Sequence, residues 1–341
     1  MTKALFLRGR PGSSTVMIPS WPWQKDVFVY EDAPAGDIRQ KDRLLLEVTR
    51  QAKPDVIFYM SVCPRDRQLD GWEAWEGITL PCTLRCLRSE SPVVHICSDG
   101  GDSGWQKALK HYEKENCFDA SINIDGVKDW PASGGNKNAM SALTPCPPVD
   151  PPVLVRPLED REIAFGYFGS MGIGTKRHQL AEELKRTAGL KTWTRKCLSN
   201  PQAATYRTYC QWVSRCRINF NTAWSGDEQH THVKGRVVES GHLGCCLMET
   251  AGSKTRDWFV PGEDYCEYTD AADCAVKVKE LLADLPRAQA MADSLRYKVT
   301  TRYNATRFWR EACDLVGVSI KESNDVQSMG SRGRGMSVGQ P

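Results

Sequence analysis

Short apolar runs alternate with helical patterns through the first third of the chain. Residues 56–60 are a continuous apolar run, which is typical of a strand buried on both faces, and residues 92–97 are predicted to be another buried strand. Residues 42–51 place leucine and valine at the spacing of an amphipathic helix. Because strands that alternate with helices build a parallel sheet covered on both sides, we expect an α/β domain over residues 1–130.

A second α/β series follows a segment crowded with prolines. Proline cannot donate to a strand ladder and breaks helices, so residues 131–160 are predicted to be a linker. The second domain is expected over residues 161–305, and it includes a strand at 218–220 and a helix over 233–242. A helix is predicted at residues 306–318, and a return of this helix to the first domain is one arrangement. Residues 319–341 are predicted to be a disordered tail.

Composition narrows the classes of function. No run approaches the roughly 18 apolar residues that a membrane span needs. The 14 cysteines are scattered without any Cys-x-x-Cys pair, so we expect reduced thiols in the cytoplasm and no metal site. The net charge of +3 is too small to indicate a nucleic-acid partner by itself.

Residues that suit phosphate chemistry gather at the start of the helix predicted from Val233. This helix follows a strand, so its amino end should lie at the carboxyl edge of a parallel sheet, where open α/β sheets bind ligands. Unpaired amides and the helix dipole attract phosphate there, and Lys234 and Arg236 add two cations. Glu239, one to two turns further on, can accept hydrogen bonds from a ribose diol. The spacing therefore favours a nucleoside diphosphate.

The same stretch resembles the donor-binding part of GT-B glycosyltransferases. It is most similar to the branch around spore-maturation protein CgeB and the glycosyltransferase family 1 group. The resemblance implies two Rossmann-like domains facing across a cleft. It also implies an NDP-sugar as co-substrate, with a UDP-sugar favoured, and no other cofactor. The segments that carry it, in chain order, are Phe168–Ser170 followed by Arg177, then Arg217–Phe220, Lys234–Glu239 and Phe259–Glu263.

Individual roles follow from this resemblance. Glu239 matches the glutamate that binds ribose in the family, and Thr231 stands where many retaining members carry a second glutamate, which leaves retention and inversion both open. The further residues expected to bind the donor are Gly169, Ser170, Arg177, His232, Lys234, Gly235 and Arg236.

The first domain offers two carboxylates for acceptor chemistry. Asp99 and Asp102 come just after a predicted buried strand, and either is a candidate base for the acceptor hydroxyl, with loop or helix capping as the alternative role. The acceptor itself is open between a small molecule, a glycan and modified DNA. Two other functions compete: a non-catalytic GT-B-like binding protein, which Thr231 favours, and a glycosyltransferase of modified bases in phage DNA, which the 11 tryptophans permit.

Overall fold

The chain forms two parallel sheets, each with its own helices and core. The computed structural model describes residues 2–8, 17–29, 38–60, 81–98, 112, 114–128, 138–147, 149, 152–169, 171–193, 205–224, 228 and 230–320.

The first sheet is built from six parallel strands in the order β2-β1-β3-β4-β5-β6. β3 and β4 are buried along their whole length, as their continuous apolar runs require. The elements are β1 (Ala4–Arg8), a 3-10 turn (Ile18–Ser20), β2 (Lys25–Val29), α1 (Ile38–Ala52), β3 (Val56–Met60), α2 (Pro81–Glu90), β4 (Val93–Cys97), β5 (Ala120–Asn123) and β6 (Ala139–Ser141).

The second sheet has five strands in the order β11-β10-β9-β7-β8, all parallel. β8 lies on one side of β7, whereas β9, β10 and β11 lie on the other, so the strand order reverses between β7 and β9. Open α/β sheets bind ligands at such a switch point. The elements are a 3-10 turn (Leu158–Asp160), β7 (Ile163–Phe168), α3 (Lys176–Thr187), β8 (Lys191–Trp193), α4 (Tyr206–Val213), β9 (Cys216–Phe220), α5 (Gly235–His242), β10 (Cys246–Thr250), a 3-10 turn (Lys254–Asp257), β11 (Cys266–Tyr268), α6 (Ala271–Ala283), α7 (Leu285–Thr301) and α8 (Ala305–Asp314).

The helices of the second half begin at ordinary capping residues, with one exception. The side chain before the first helical turn accepts a backbone N–H in α3, α4, α6, α7 and α8. α5 begins after Lys234, whose side chain makes no such bond. The residues that cap the other helices are Thr175, Thr205, Asp270, Asp284 and Asn304.

The last helix crosses from the second sheet back to the first. Trp309 on α8 is fully buried, and its ring packs edge-on against Phe6, Trp21 and Phe58 at centroid distances of 5.5, 5.4 and 5.0 Å. Its indole N–H donates to the Ser20 hydroxyl at 2.8 Å. The core of the first domain is therefore completed by a residue from the end of the chain.

The two domains also touch at the carboxyl end of β5. The carbonyl of Asp125 accepts the amide of Val233 at 2.7 Å, just before α5. The carbonyl of Gly126 accepts the indole N–H of Trp258 at 2.6 Å. These bonds place the amino end of α5 opposite the first sheet.

Some short strands of the structure are not predicted by the sequence analysis, among them β2 and β6. β2 and β6 are short edge strands with half-exposed side chains, so neither shows the continuous apolar run that marks β3 and β4. β6 lies within the proline-rich segment predicted as linker, and it extends the first sheet instead. The chain also stays packed past residue 318, because Ser319 accepts the Thr2 hydroxyl. Residues 321–341 of the expected tail lie outside the described residues.

Candidate functional site

Arg236 lies across the switch point of the second sheet. Its Nε donates to the carbonyl of Phe168 at 2.9 Å, and its Nη1 donates to Oδ1 of Asn221 at 2.5 Å. Phe168 ends β7 and Asn221 directly follows β9. One guanidinium therefore joins the carboxyl ends of the two strands between which ligands bind in open α/β sheets.

The guanidinium of Arg236 has more hydrogen-bonding capacity than its protein partners use. Its Cζ stacks over the ring of Tyr167 at 4.5 Å, and its Nη2 reaches the Tyr167 hydroxyl at 3.4 Å, a long contact. Arginine has more N–H donors than these partners use, and the residue is half-buried. The arrangement suits a cation that is oriented by the protein and open to an anionic ligand.

The start of α5 adds a second source of positive potential. The Nζ of Lys234 contacts Nε2 of the buried His232. An added Cβ at Gly235 would lie 3.9 Å from the side chain of Thr144, so Thr144 lies near the start of the helix. Because the side chain of the N-cap residue, Lys234, makes no capping bond, the first amides of α5 suit an anionic ligand.

Glu239 lies on the same helix, half-buried beneath the tyrosines of α4. Its Oε2 accepts the hydroxyl of Tyr209 at 2.5 Å. Burial raises the pKa of the Glu239 carboxyl, while the Tyr209 hydroxyl and the charge of Arg236 oppose that rise. One carboxylate oxygen is thus committed to Tyr209, and the geometry orients the whole group.

Arg177 stands on the other side of the end of β9. Its Nε donates to the hydroxyl of Thr222 at 2.8 Å and its Nη2 to the carbonyl of Trp224 at 3.1 Å. Arg177 and Arg236 therefore bind the adjacent residues Thr222 and Asn221. The backbone of Thr231 pairs with that of Trp224 in an isolated bridge.

The predicted site residues fall into two groups, those that the structure describes and those that it does not. Gly169, Arg177, His232, Lys234, Gly235, Arg236 and Glu239 are described, and the structure gathers them around the ends of β7 and β9 and the start of α5. Ser170 and both candidate bases, Asp99 and Asp102, lie outside the described residues. Their roles stay predictions.

Gly169 allows the guanidinium of Arg236 to approach the backbone. It has a φ of 140°, and an added Cβ would lie 2.4 Å from Nη2 of Arg236. We expect Gly169→Ala to displace the guanidinium and to weaken binding of uridine diphosphate by about tenfold in calorimetric titration. Gly189→Ala is the matched control, because Gly189 has a φ of 66° with nothing within 4 Å. An equal loss of affinity in both variants would contradict this explanation.

The structure also reveals a buried carboxylate that the sequence analysis misses. Glu249 is the penultimate residue of β10 and has no exposed surface, and its oxygens accept from the Thr250 amide, the Asn221 side chain and the Thr255 hydroxyl. Burial raises its pKa to about 7, although those three donors and Arg236 hold it down. In sequence the residue looks like an ordinary strand end, since no local motif surrounds it.

The pKa of Glu249 has a direct consequence for stability. Its folded-state pKa of about 7 exceeds the ordinary 4.5, so the folded protein keeps this proton after the unfolded chain has lost it. The free energy of unfolding should therefore fall by up to about 3 kcal/mol as the pH rises from the unfolded pKa of 4.5 through the folded pKa of about 7. Urea unfolding at pH 5 and pH 8 should show this loss in the wild type and not in Glu249→Gln. The same change in both proteins would refute it.

The residues that the structure describes include neither a metal-binding cluster nor a membrane-spanning helix. No group of three or more histidine, cysteine, aspartate or glutamate side chains there is arranged to hold a metal ion. In the same ranges, no helix is both long and apolar enough to cross a bilayer.

Comparison with known proteins agrees with this geometry. The model of the family described as Glycosyl transferase-like matches residues 153–314, which span the second domain and α8. No curated protein matches the chain at a significant level.

Solved structures resemble the whole chain. HepE of Anabaena in complex with UDP and glucose aligns with a TM-score of 0.60 at 11% identity, over 93% of this chain and 99% of that one. An α-glucosyltransferase in complex with UDP-glucose and DNA aligns at 0.62 and 9%, over 93% and 99%. Sucrose-phosphate synthase from Thermosynechococcus elongatus aligns at 0.55 and 11%, over 94% and 100%. The chain therefore has the GT-B fold, two Rossmann-like domains facing across a cleft, with a glycosyltransferase-like second half.

Proposed function

We propose that the protein transfers a sugar from a UDP-sugar to an acceptor hydroxyl. The observation that carries this proposal is Arg236, which bridges the carboxyl ends of β7 and β9 beside the start of α5, where the Lys234 side chain makes no capping bond. Sugar transfer from such a donor releases a nucleoside diphosphate, and negative charge develops on it as the bond to the sugar breaks. Cations and helix amides that are already oriented stabilise that charge without reorganisation.

The neighbouring residues supply the other contacts. Glu239 is held by Tyr209 and keeps a second oxygen for the hydroxyls of a ribose. Lys234 and the first amides of α5 lie next to the contact between Val233 and the first domain, so a bound diphosphate would lie between the domains. Closure of the domains would then bring an acceptor held by the first domain to the sugar and exclude water.

Uridine is the favoured base because structures with this fold bind UDP or UDP-glucose, among them HepE and the α-glucosyltransferase. The likeness to CgeB and the assignment of Asp99 or Asp102 as base belong to the proposal too. So does modified DNA as an acceptor, which is one of the classes left open by the sequence.

A binding panel followed by an activity assay tests the proposal. We expect calorimetric titration to show UDP binding more tightly than ADP or GDP, and UDP-glucose to be hydrolysed slowly to UDP when no acceptor is present. Binding of UDP without any hydrolysis or transfer over a panel of UDP-sugars would favour the non-catalytic alternative. Absence of binding to every nucleoside diphosphate would refute the proposal.

A further inference from the structure

The Glu249 carboxylate is surrounded by hydrogen-bond donors. Oε1 accepts the amide of Thr250 at 2.7 Å. Oε2 accepts Nδ2 of Asn221 at 2.6 Å and the hydroxyl of Thr255 at 3.3 Å. A carboxylate can accept all three bonds, whereas a neutral amide has only one oxygen to offer.

Asn221 connects this carboxylate to the arginine of the site. Its Nδ2 faces Glu249, and its Oδ1 accepts Nη1 of Arg236 at 2.5 Å. The Asn221 backbone is fixed as well, because its amide donates to Met248 and its carbonyl accepts the hydroxyl of Tyr268, each at 2.8 Å. If the side-chain amide turned over, its NH₂ group would face the guanidinium and its oxygen would face the carboxylate. Glu249 therefore decides which way Asn221 points.

We propose that Glu249 is a positioning residue that orients the guanidinium of Arg236 through the side-chain amide of Asn221. The inference rests on the proposed function, because it assigns Arg236 the diphosphate of the donor. Two acceptors, the Phe168 carbonyl and Asn221 Oδ1, hold the plane of the guanidinium. Loss of the second acceptor frees the plane to rotate about the first, and a planar fork that is rotated no longer matches two phosphate oxygens.

Ionised Glu249 is the form that accepts all three donors. The charged or titratable groups that face it are Arg236 from α5, Tyr265 before β11 and Tyr268 within β11. Neither tyrosine gives up its proton near neutral pH, since burial raises both pKa values. Any change in the orientation of Asn221 near neutral pH therefore follows the proton on Glu249.

The test compares Glu249→Gln with a matched variant of another buried acid. Asp264 is also fully buried, and it bonds to Ser294 and Lys298 on α7, away from Asn221 and Arg236. We expect Glu249→Gln to weaken UDP binding by about tenfold in calorimetric titration at pH 8, and Asp264→Asn to change it by less than about twofold. The wild-type advantage over Glu249→Gln should shrink as the pH falls from 8 to 6.

A double-mutant cycle separates positioning from general damage. In an Arg236→Ala background, Glu249→Gln should cause no further loss of UDP affinity, because the group that it orients is gone. If Glu249→Gln fails to fold, Asn221→Ala replaces it in the same cycle with the same expectation. Additive losses in the cycle, or an affinity of Glu249→Gln equal to that of the wild type at pH 8, would overturn the inference alone. Wild-type protein that bound no UDP would overturn the proposed function together with it.

Discussion

Arg236→Ala should lower kcat/KM for sugar transfer or for donor hydrolysis by about 100- to 1,000-fold, the usual cost of losing one oriented charge-stabilising group. The guanidinium bridges Phe168 and Asn221 at the switch point, so its loss removes both a charge and the group that joins the two strand ends. Steady-state kinetics with UDP-glucose as donor would measure the effect. The kcat/KM of Arg236→Lys should lie between those of the wild type and Arg236→Ala, because lysine keeps the charge and loses the planar fork.

Arg215→Ala provides the control for this experiment. Arg215 forms an exposed ion pair with Glu162 at the amino ends of β9 and β7, away from the carboxyl ends where Arg236 lies. Exposed pairs contribute little to stability, so this variant should keep the wild-type kinetics and nearly the wild-type melting temperature. A folded Arg236→Ala protein that retained full transfer activity would remove Arg236 from the site.

Arg161→Met should be among the most destabilising single changes in the second domain. Arg161 is 1% exposed, and its guanidinium donates to the carbonyls of Arg156, Cys216 and Leu243 at 2.7 to 3.0 Å. Methionine fills a similar volume but leaves those carbonyls unpaired. We expect the free energy of unfolding to fall by about 3–5 kcal/mol, measured by urea unfolding.

Arg217→Met is the matched comparison for Arg161→Met. Arg217 also donates to backbone carbonyls, those of Arg161 and Glu159, but it is half-exposed and water can replace it. Its loss should cost about 1 kcal/mol or less. Equal losses in both variants would show that burial of the Arg161 guanidinium has no special role.

The sequence predicts the architecture well because burial leaves a local trace. β3 is apolar along its whole length and β4 is interrupted only by His95, while Gly244 follows the end of α5. These local patterns make the strands and their alternation with helices predictable from the sequence. The GT-B prediction is confirmed by structures that align over the whole chain. β2 and β6 leave no such trace, because edge strands bury less of their surface.

The chemistry of the site is only partly readable. Arg236 and Glu239 stand out because they share one helix with a recognisable spacing. The dependence of Arg236 on Asn221 and Glu249 cannot be predicted from the sequence. Asn221 directly follows β9 and Glu249 lies in β10, so the two meet only when these strands pair. The buried role of Arg161 cannot be predicted from the sequence either, because its partners are backbone carbonyls, which no pattern of side chains indicates.

The position of Trp309 sets the order of events during synthesis. Domains usually fold one after another as the chain leaves the ribosome. Here Phe6, Trp21 and Phe58 form a pocket for the ring of Trp309, which is translated some 250 residues after Phe58. The nascent amino-terminal half therefore presents an unfilled aromatic pocket until translation has passed residue 309.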